Sequence, residues 1–147
     1  MKKTFILIVT ALLLAGCGNF YVPSVEKARE TAGAFMTRYY VDMEFDSALE
    51  LASDSFRQRV NSGTMVKDMS AFYKKYGRMQ GFSAESYIVE SKTKLCAIYY
   101  RSICEKKFIY NKIVLSGDAK SGYRVEAAFA SELPFKEYQE QKKFKKE

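Results

Sequence analysis

Apolar side chains recur at intervals of three and four residues through the first half of the chain, a spacing typical of helices with one buried face. Ser24 and Asp46 are suited to cap the first two helices, because their side chains accept hydrogen bonds from free backbone N–H groups. Gly77 is suited to end the third. The predicted helices cover residues 24–40, 46–60 and 64–77.

From Phe82 onward the period of the pattern changes from 3.6 to 2, which indicates strands. The predicted strands cover residues 82–89, 95–103, 108–115 and 123–130. Residues 116–122 contain the glycines and polar residues of a hairpin turn, and Pro134 ends the sheet region. We therefore predict an α+β fold in which N-terminal helices pack on a curved, four-stranded antiparallel sheet.

The first seventeen residues have a third pattern. Lys2 and Lys3 precede an apolar run over residues 4–14, which at eleven residues is shorter than the roughly 20 needed to span a bilayer and is typical of a secretory signal. The segment that follows, Leu14-Ala15-Gly16-Cys17, resembles the lipobox of bacterial lipoproteins. The alternative is an ordinary signal peptide whose cleavage region contains a cysteine.

The resemblance implies that Cys17 carries a diacylglycerol on its sulfur, with palmitate-type acyl chains, after cleavage of the peptide before it. Gly18, where an Asp favours retention in the inner membrane, implies the periplasmic face of the outer membrane. We expect a signal peptide over residues 1–16, a lipidated tether over 17–23, an α+β domain over 24–133 and a charged tail over 134–147. The tail is predicted to be a solvated helix or a frayed end.

Three short segments resemble small bacterial lipoproteins of the nuclear-transport-factor-2-like, or cystatin-like, fold. They are Asp46-Ser47-Ala48-Leu49-Glu50, the Tyr76-Gly77 end of the third helix and Gly122-Tyr123-Arg124-Val125. The resemblance implies a helix-lined cone against the curved sheet. That fold hosts isomerases, dehydratases and non-catalytic binding modules, so the fold alone does not assign an activity.

Composition narrows the chemistry. The 147 residues include 24 Lys and Arg, 17 Asp and Glu and no His, so His-based triads and imidazole metal ligands are excluded. Loss of residues 1–16 would remove two lysines and leave 22 cations against 17 acids, or +5. In an exported protein this charge favours anionic lipid, an acidic protein face or peptidoglycan carboxylates over nucleic acid. We predict no cofactor and no metal.

Two groups of residues are candidates for chemical sites. An isomerase in the same fold would need a buried acid and a tyrosine donor, roles open to Glu85, Tyr87, Tyr99 and Tyr110 if they face the cone. An acidic group between the first two helices is suited to a hard cation, but it lacks the glycine and late glutamate of a calcium loop. Its members are Asp42, Glu44, Asp46 and Glu50.

Cys96 and Cys104 are predicted to form a disulfide, since exported proteins reach an oxidising compartment. The bridge requires the chain to turn between them. On one straight strand eight residues, at about 3.3 Å each, would separate the thiols by more than about 20 Å.

Aromatic and basic residues on the predicted strands indicate a partner-binding surface, because tyrosine and arginine are enriched at interface hot spots. The surface is predicted to contain Tyr99, Tyr100, Arg101, Lys112 and Tyr123. We predict a non-enzymatic, membrane-anchored envelope lipoprotein that binds a protein or a small ligand in the periplasm. The alternatives are a small cone-shaped enzyme without metal or His, and an exported inhibitor or immunity-type protein.

Overall fold

The computed structural model describes residues 21–137 and 141–145, and within them it confirms an α+β fold. Five helical segments precede the sheet: α1 (Val25–Met36), a short π-helix (Thr37–Val41), α2 (Phe45–Glu50), α3 (Asp54–Arg59) and α4 (Ser62–Tyr76). The strands are β1 (Met79–Glu90), β2 (Leu95–Cys104), β3 (Phe108–Asp118), β4 (Gly122–Ser131) and β5 (Lys142–Lys143). The predicted signal peptide and Cys17 lie outside the described residues.

All described strands belong to one antiparallel sheet, in the order β4-β3-β2-β1-β5. The prediction of four strands was therefore one strand short. The fifth comes from the tail, whose prediction as a solvated helix or frayed end is wrong for Lys142–Lys143: these residues pair with Tyr87 and Ser86 on the edge of β1. The pairing is reinforced by Phe144, whose ring lies 5.0 Å from that of Tyr87.

The predicted second helix is two helices. Chain direction changes between α2 and α3, where Ala52 forms a parallel bridge with Val125 of β4 and Ser53 donates its N–H to the Val125 carbonyl. The Ser53 hydroxyl then caps α3 by accepting from the Phe56 N–H at 3.1 Å. A local cap and an interaction with the sheet edge thus outweigh a continuous helical pattern.

The helices begin and end where their capping residues stand. Ser24 caps α1 and Asn61 caps α4, each by accepting a backbone N–H. Gly77 follows α4 with φ +77°, a conformation that L side chains rarely adopt, and the Glu105 side chain fills the space where a Cβ would lie. These caps fix the ends of the two longest helices against the sheet.

The sheet has two unlike faces. We call the face that packs against the helices the inner face; its strand residues include Ile98, Ile109, Ile113, Leu115 and Val125, all fully buried. The opposite, outer face is covered only in part, by the segment after β4, where Phe135 packs on Tyr99 with ring centroids 6.0 Å apart. Among the described residues no helix is long and apolar enough to cross a membrane.

Candidate functional site

A cavity of about 360 Å³ opens between α1, the π-helix, α3, α4 and the inner face of β4. Most of its wall is aromatic or aliphatic, with one carboxylate and one amine. The aromatic part of the wall consists of Phe35, Tyr39, Tyr40, Phe56, Phe72 and Tyr76. This cavity is the candidate site.

The π-helix supplies two neighbouring wall residues. Its wider turn, in which Asp42 donates its N–H to the Thr37 carbonyl five residues earlier, leaves both Tyr39 and Tyr40 buried. Their rings meet edge to face at 4.6 Å, and Tyr40 continues to Phe72 of α4 at 5.1 Å. The rings therefore hold one another in place across two elements.

Small side chains leave the space open. Ala128 and Ala130 line the cavity from alternate positions of β4, and Ala71 lines it from α4. Larger residues at these three positions would extend into the cavity, because on the other sides it is bounded by rings that are already packed against each other.

Two charged residues of α4 also line the cavity, Asp68 and Lys75. The Lys75 ammonium lies 2.8 Å from a Glu132 oxygen and 5.0 Å from the centre of the Tyr76 ring. The hydrogen bond to Glu132 is the main reason that the pKa of Lys75 is raised above its usual range. Burial, with a smaller contribution from Asp68, raises the pKa of Tyr39 to about 12. Lys75 is therefore charged, and Tyr39 neutral, at pH 7.

A buried polar group stands behind the aromatic wall. On the inner face, fully buried Ser102 donates its hydroxyl to Asn111 Oδ1 at 2.7 Å. Burial raises the pKa of Tyr40 above its usual range, while a hydrogen bond with Asn111 opposes that shift. This group orients Tyr40 from the side of the sheet.

The predicted partner surface is not one surface. Tyr99 and Tyr100 are consecutive residues of β2 and point to opposite faces: Tyr100 packs in the core against Phe82, whereas Tyr99 lies on the outer face under Phe135. All three predicted tyrosines are at least nine-tenths buried. The prediction was wrong because both faces of these strands carry aromatic residues, so composition cannot tell which residues are accessible.

The other members of that set have separate roles. The buried Tyr123 hydroxyl accepts from the Ser24 N–H at 2.8 Å and so fixes the start of α1. Lys112 lies opposite Tyr99 on the outer face and binds Glu137 at 2.8 Å. Arg101 is exposed on the same face, with its guanidinium 5.1 Å from the centre of the Phe108 ring.

The residues considered for isomerase chemistry do not converge. Tyr99 and Tyr110 are on the outer face, and Tyr87 packs toward the inner side of β1. Glu85 lies at a bulge in β1, between Ala84 and Ser86. The structure therefore brings none of these pairs together across the cavity.

The predicted Cys96–Cys104 bridge is contradicted by the structure. Both cysteines belong to the continuous strand β2, both are buried on its inner face, and both are free. The chain makes no turn between them, so the distance along the strand prevents a bond. Burial raises the pKa of each thiol to about 11.

The acidic residues between the first helices are engaged in local contacts. Asp46 accepts from the Ser62 hydroxyl, and a Glu50 oxygen lies 3.7 Å from the Arg38 guanidinium. Within the described part of the chain, no three His, Cys, Asp or Glu side chains are placed to hold a metal ion.

The cavity itself was not predicted from the sequence. Its signal was present: aromatic residues spaced four apart at Phe35 and Tyr39 and again at Phe72 and Tyr76, opposite small residues on β4. In the sequence alone, these helical stripes indicate only a core. Comparison with known proteins adds no relative, since no family model, curated protein or solved structure matches this chain.

Proposed function

We propose that this protein is a non-enzymatic envelope lipoprotein, anchored through an acylated Cys17 on the periplasmic face of the outer membrane, whose domain binds a small apolar ligand in the aromatic cavity. In this proposal the cavity is the interior of a cone of the nuclear-transport-factor-2-like type. The ligand has an apolar body that the rings of Tyr39, Tyr40 and Phe72 contact.

The single observation that carries the proposal is the cavity. A volume of about 360 Å³ is within the range of roughly 300–1,000 Å³ that is typical of small-molecule sites. Its wall combines many apolar groups with few polar ones, the composition that favours binding through burial of apolar surface. Asp68 and Lys75 are suited to contact a polar end of the same ligand.

Two adjacent alanines of β4 test the site. Ala128 lines the cavity, whereas Ala127 lies opposite Val114 on the other face. We expect Ala128→Phe to lower the affinity for an environment-sensitive naphthalene dye more than tenfold, because the new ring occupies the dye's space. Ala127→Phe is the matched control and is expected to keep wild-type affinity. The segment 21–147 is used, and circular dichroism checks that each variant is folded.

Equal dye affinity in Ala128→Phe, Ala127→Phe and the parent would reject the cavity as the binding site. A ligand that co-purifies with the protein from the envelope, identified by mass spectrometry and lost in Ala128→Phe alone, would give the strongest support.

The anchor is tested separately through Cys17. Cys17→Ser removes the thiol that the thioether requires, so we expect loss of the acyl mass and release from the membrane fraction after a high-salt wash. High salt is needed because a basic protein also binds anionic lipid through its charge. Retention of the variant together with an unacylated wild type would refute the anchor.

A further inference from the structure

The turn between β2 and β3, together with the end of α4, forms one exposed region that we call the basic tip. Its charged residues are Lys74, Lys75, Arg78, Arg101, Glu105, Lys106, Lys107 and Glu132, all of them exposed. Six cations and two acids leave four net positive charges at one end of the sheet.

Contacts between these residues show that they form one surface. Lys75 and Lys107 hold the two oxygens of Glu132 at 2.8 and 3.0 Å, so one carboxylate joins α4, the turn and the end of β4. The Lys106 ammonium donates to the Lys74 carbonyl at 2.7 Å. Glu105 is held against the start of β1 by its N–H, which donates to the Arg78 carbonyl.

Large apolar side chains project from the same end. Ile103 is 46% exposed, Phe108 55% and Leu133 73%, values that are among the highest for apolar residues in the described chain. Ile103 and Phe108 are paired across β2 and β3, and Arg101 stacks on the Phe108 ring. The basic tip therefore carries an apolar centre that is surrounded by cations.

We infer that the basic tip inserts these apolar side chains into the surface of an anionic lipid membrane. The three side chains project from strand ends and lie outside the cavity walls described above, which suits a soft lipid interface that requires no matching pocket. Four of the six cations are lysines, a residue depleted at protein interfaces but common in segments that bind anionic lipid. An acidic protein partner is the competing occupant, and the experiment below separates the two.

The tip lies at the opposite end of the sheet from the start of the domain. Val22 accepts a hydrogen bond from Ala119, next to the β3–β4 turn, while Phe108 begins β3. The eleven residues of β3 span about 33 Å at roughly 3.3 Å per residue. If Cys17 is the anchor, a step that rests on the proposed function, a domain held at both ends lies with its strands along the membrane.

The chain contains no tryptophan, so one introduced at the tip reports its surroundings without background. Phe108→Trp in the full chain purified from the envelope is mixed with vesicles of phosphatidylcholine, with or without phosphatidylglycerol, containing brominated acyl chains. We expect a blue-shifted emission and at least twofold quenching only with the anionic vesicles. Val66→Trp, at an α4 site that is 48% exposed, is the matched control and is expected to stay unquenched.

Charge reversal identifies the source of attraction. Adding Lys106→Glu and Lys107→Glu to Phe108→Trp is expected to abolish quenching, whereas Lys92→Glu and Lys94→Glu, in the β1–β2 turn at the other end, are expected to leave it unchanged. An unquenched tip tryptophan in protein that floats with anionic vesicles would overturn the inference and leave the anchor intact. Quenching with anionic vesicles and no flotation with neutral ones would support the tip and contradict the anchor.

A blue shift produced by polyglutamate and not by vesicles would overturn the inference in favour of an acidic protein partner. Equal quenching of the Phe108→Trp protein and of the Val66→Trp control would also overturn it, because contact would then not be specific to the tip.

Discussion

The inner and outer faces of the sheet are built from alternate residues of the same strands, yet only one of them forms a closed core. On the inner face five aliphatic residues of β2, β3 and β4 are fully buried. On the outer face Phe135 covers Tyr99 near the centre, while Ile103, Phe108 and Phe129 remain about half exposed. An apolar side chain in these strands is therefore informative only when its face is known.

The largest expected difference between the faces concerns two isoleucines of β2. Ile98 is fully buried on the inner face and Ile103 is 46% exposed on the outer face. We expect Ile98→Ala to lower the free energy of unfolding by about 3–4 kcal/mol, through lost burial and a residual cavity. Ile103→Ala is expected to cost less than about 1 kcal/mol. Urea unfolding measures both, and similar costs would show that the faces are equally packed.

Thiol reactivity provides the second contrast. Burial raises the pKa of Cys96 from 9.0, the value of an ordinary thiol, to about 11, so its thiolate fraction at neutral pH falls about a hundredfold. We expect the folded protein to react with iodoacetamide at least a hundredfold more slowly than free cysteine. After unfolding without reductant, mass spectrometry should show both Cys96 and Cys104 alkylated. Two unreactive cysteines in the unfolded chain would restore the bridge.

A smaller effect is expected for the polar pair within the inner face. Ser102→Ala removes the donor to Asn111 Oδ1 and leaves a buried acceptor without its partner, at a cost of about 1–3 kcal/mol. Ser83→Ala, at an exposed position of β1, is the control and should change little. In Ser102→Ala with Asn111→Leu we expect part of the loss to be recovered, and no recovery would mean that the pair acts mainly through its volume.

The smallest effect is a pH dependence at the edge of the sheet. Burial alone would raise the pKa of Glu126, but hydrogen bonds from the Ser116, Ser55 and Ser53 hydroxyls and the charge of Arg59 lower it. Because the folded-state pKa is below the unfolded one, this group stabilises the fold at neutral pH. That contribution is lost as pH falls through the folded-state pKa.

We therefore expect Glu126→Gln to be less stable than wild type at pH 7 by a few tenths of a kcal/mol or more, with the difference shrinking toward pH 3. Urea midpoints at the two pH values measure it. A difference that does not change with pH would indicate that shape, and not ionisation, is what the serines recognise.

The sequence predicts this fold well where local rules decide. The caps at Ser24 and Gly77 and the change of period after the helices follow from residue chemistry alone, and the structure confirms them. The split at Ala52 and Ser53 depends on contact with Val125, more than seventy residues away along the chain, and no local pattern reports it. For the same reason Lys142–Lys143 could not be recognised as a strand: they pair with an edge that exists only once β1 is in place.

Candidate site residues were harder to predict, because strand parity alone does not say which face is covered. The bulge near Glu85 changes the parity of β1 midway, so Ala84 and Tyr87 share the inner side although they are three residues apart. Residue type predicts Tyr100 and Tyr123 at a surface, but both are in the core. The acylation of Cys17 stays a prediction.

The π-helix at Thr37–Val41 makes the length of this segment critical. A π turn holds one residue more than an α turn, so deleting any one of these five residues would let α-helix continue without a gap in hydrogen bonding. Everything that follows would then be rotated by about 100° relative to α1, and Tyr39 and Tyr40 could no longer both face inward. Substitutions here are therefore expected to be tolerated in random libraries far more often than single-codon deletions.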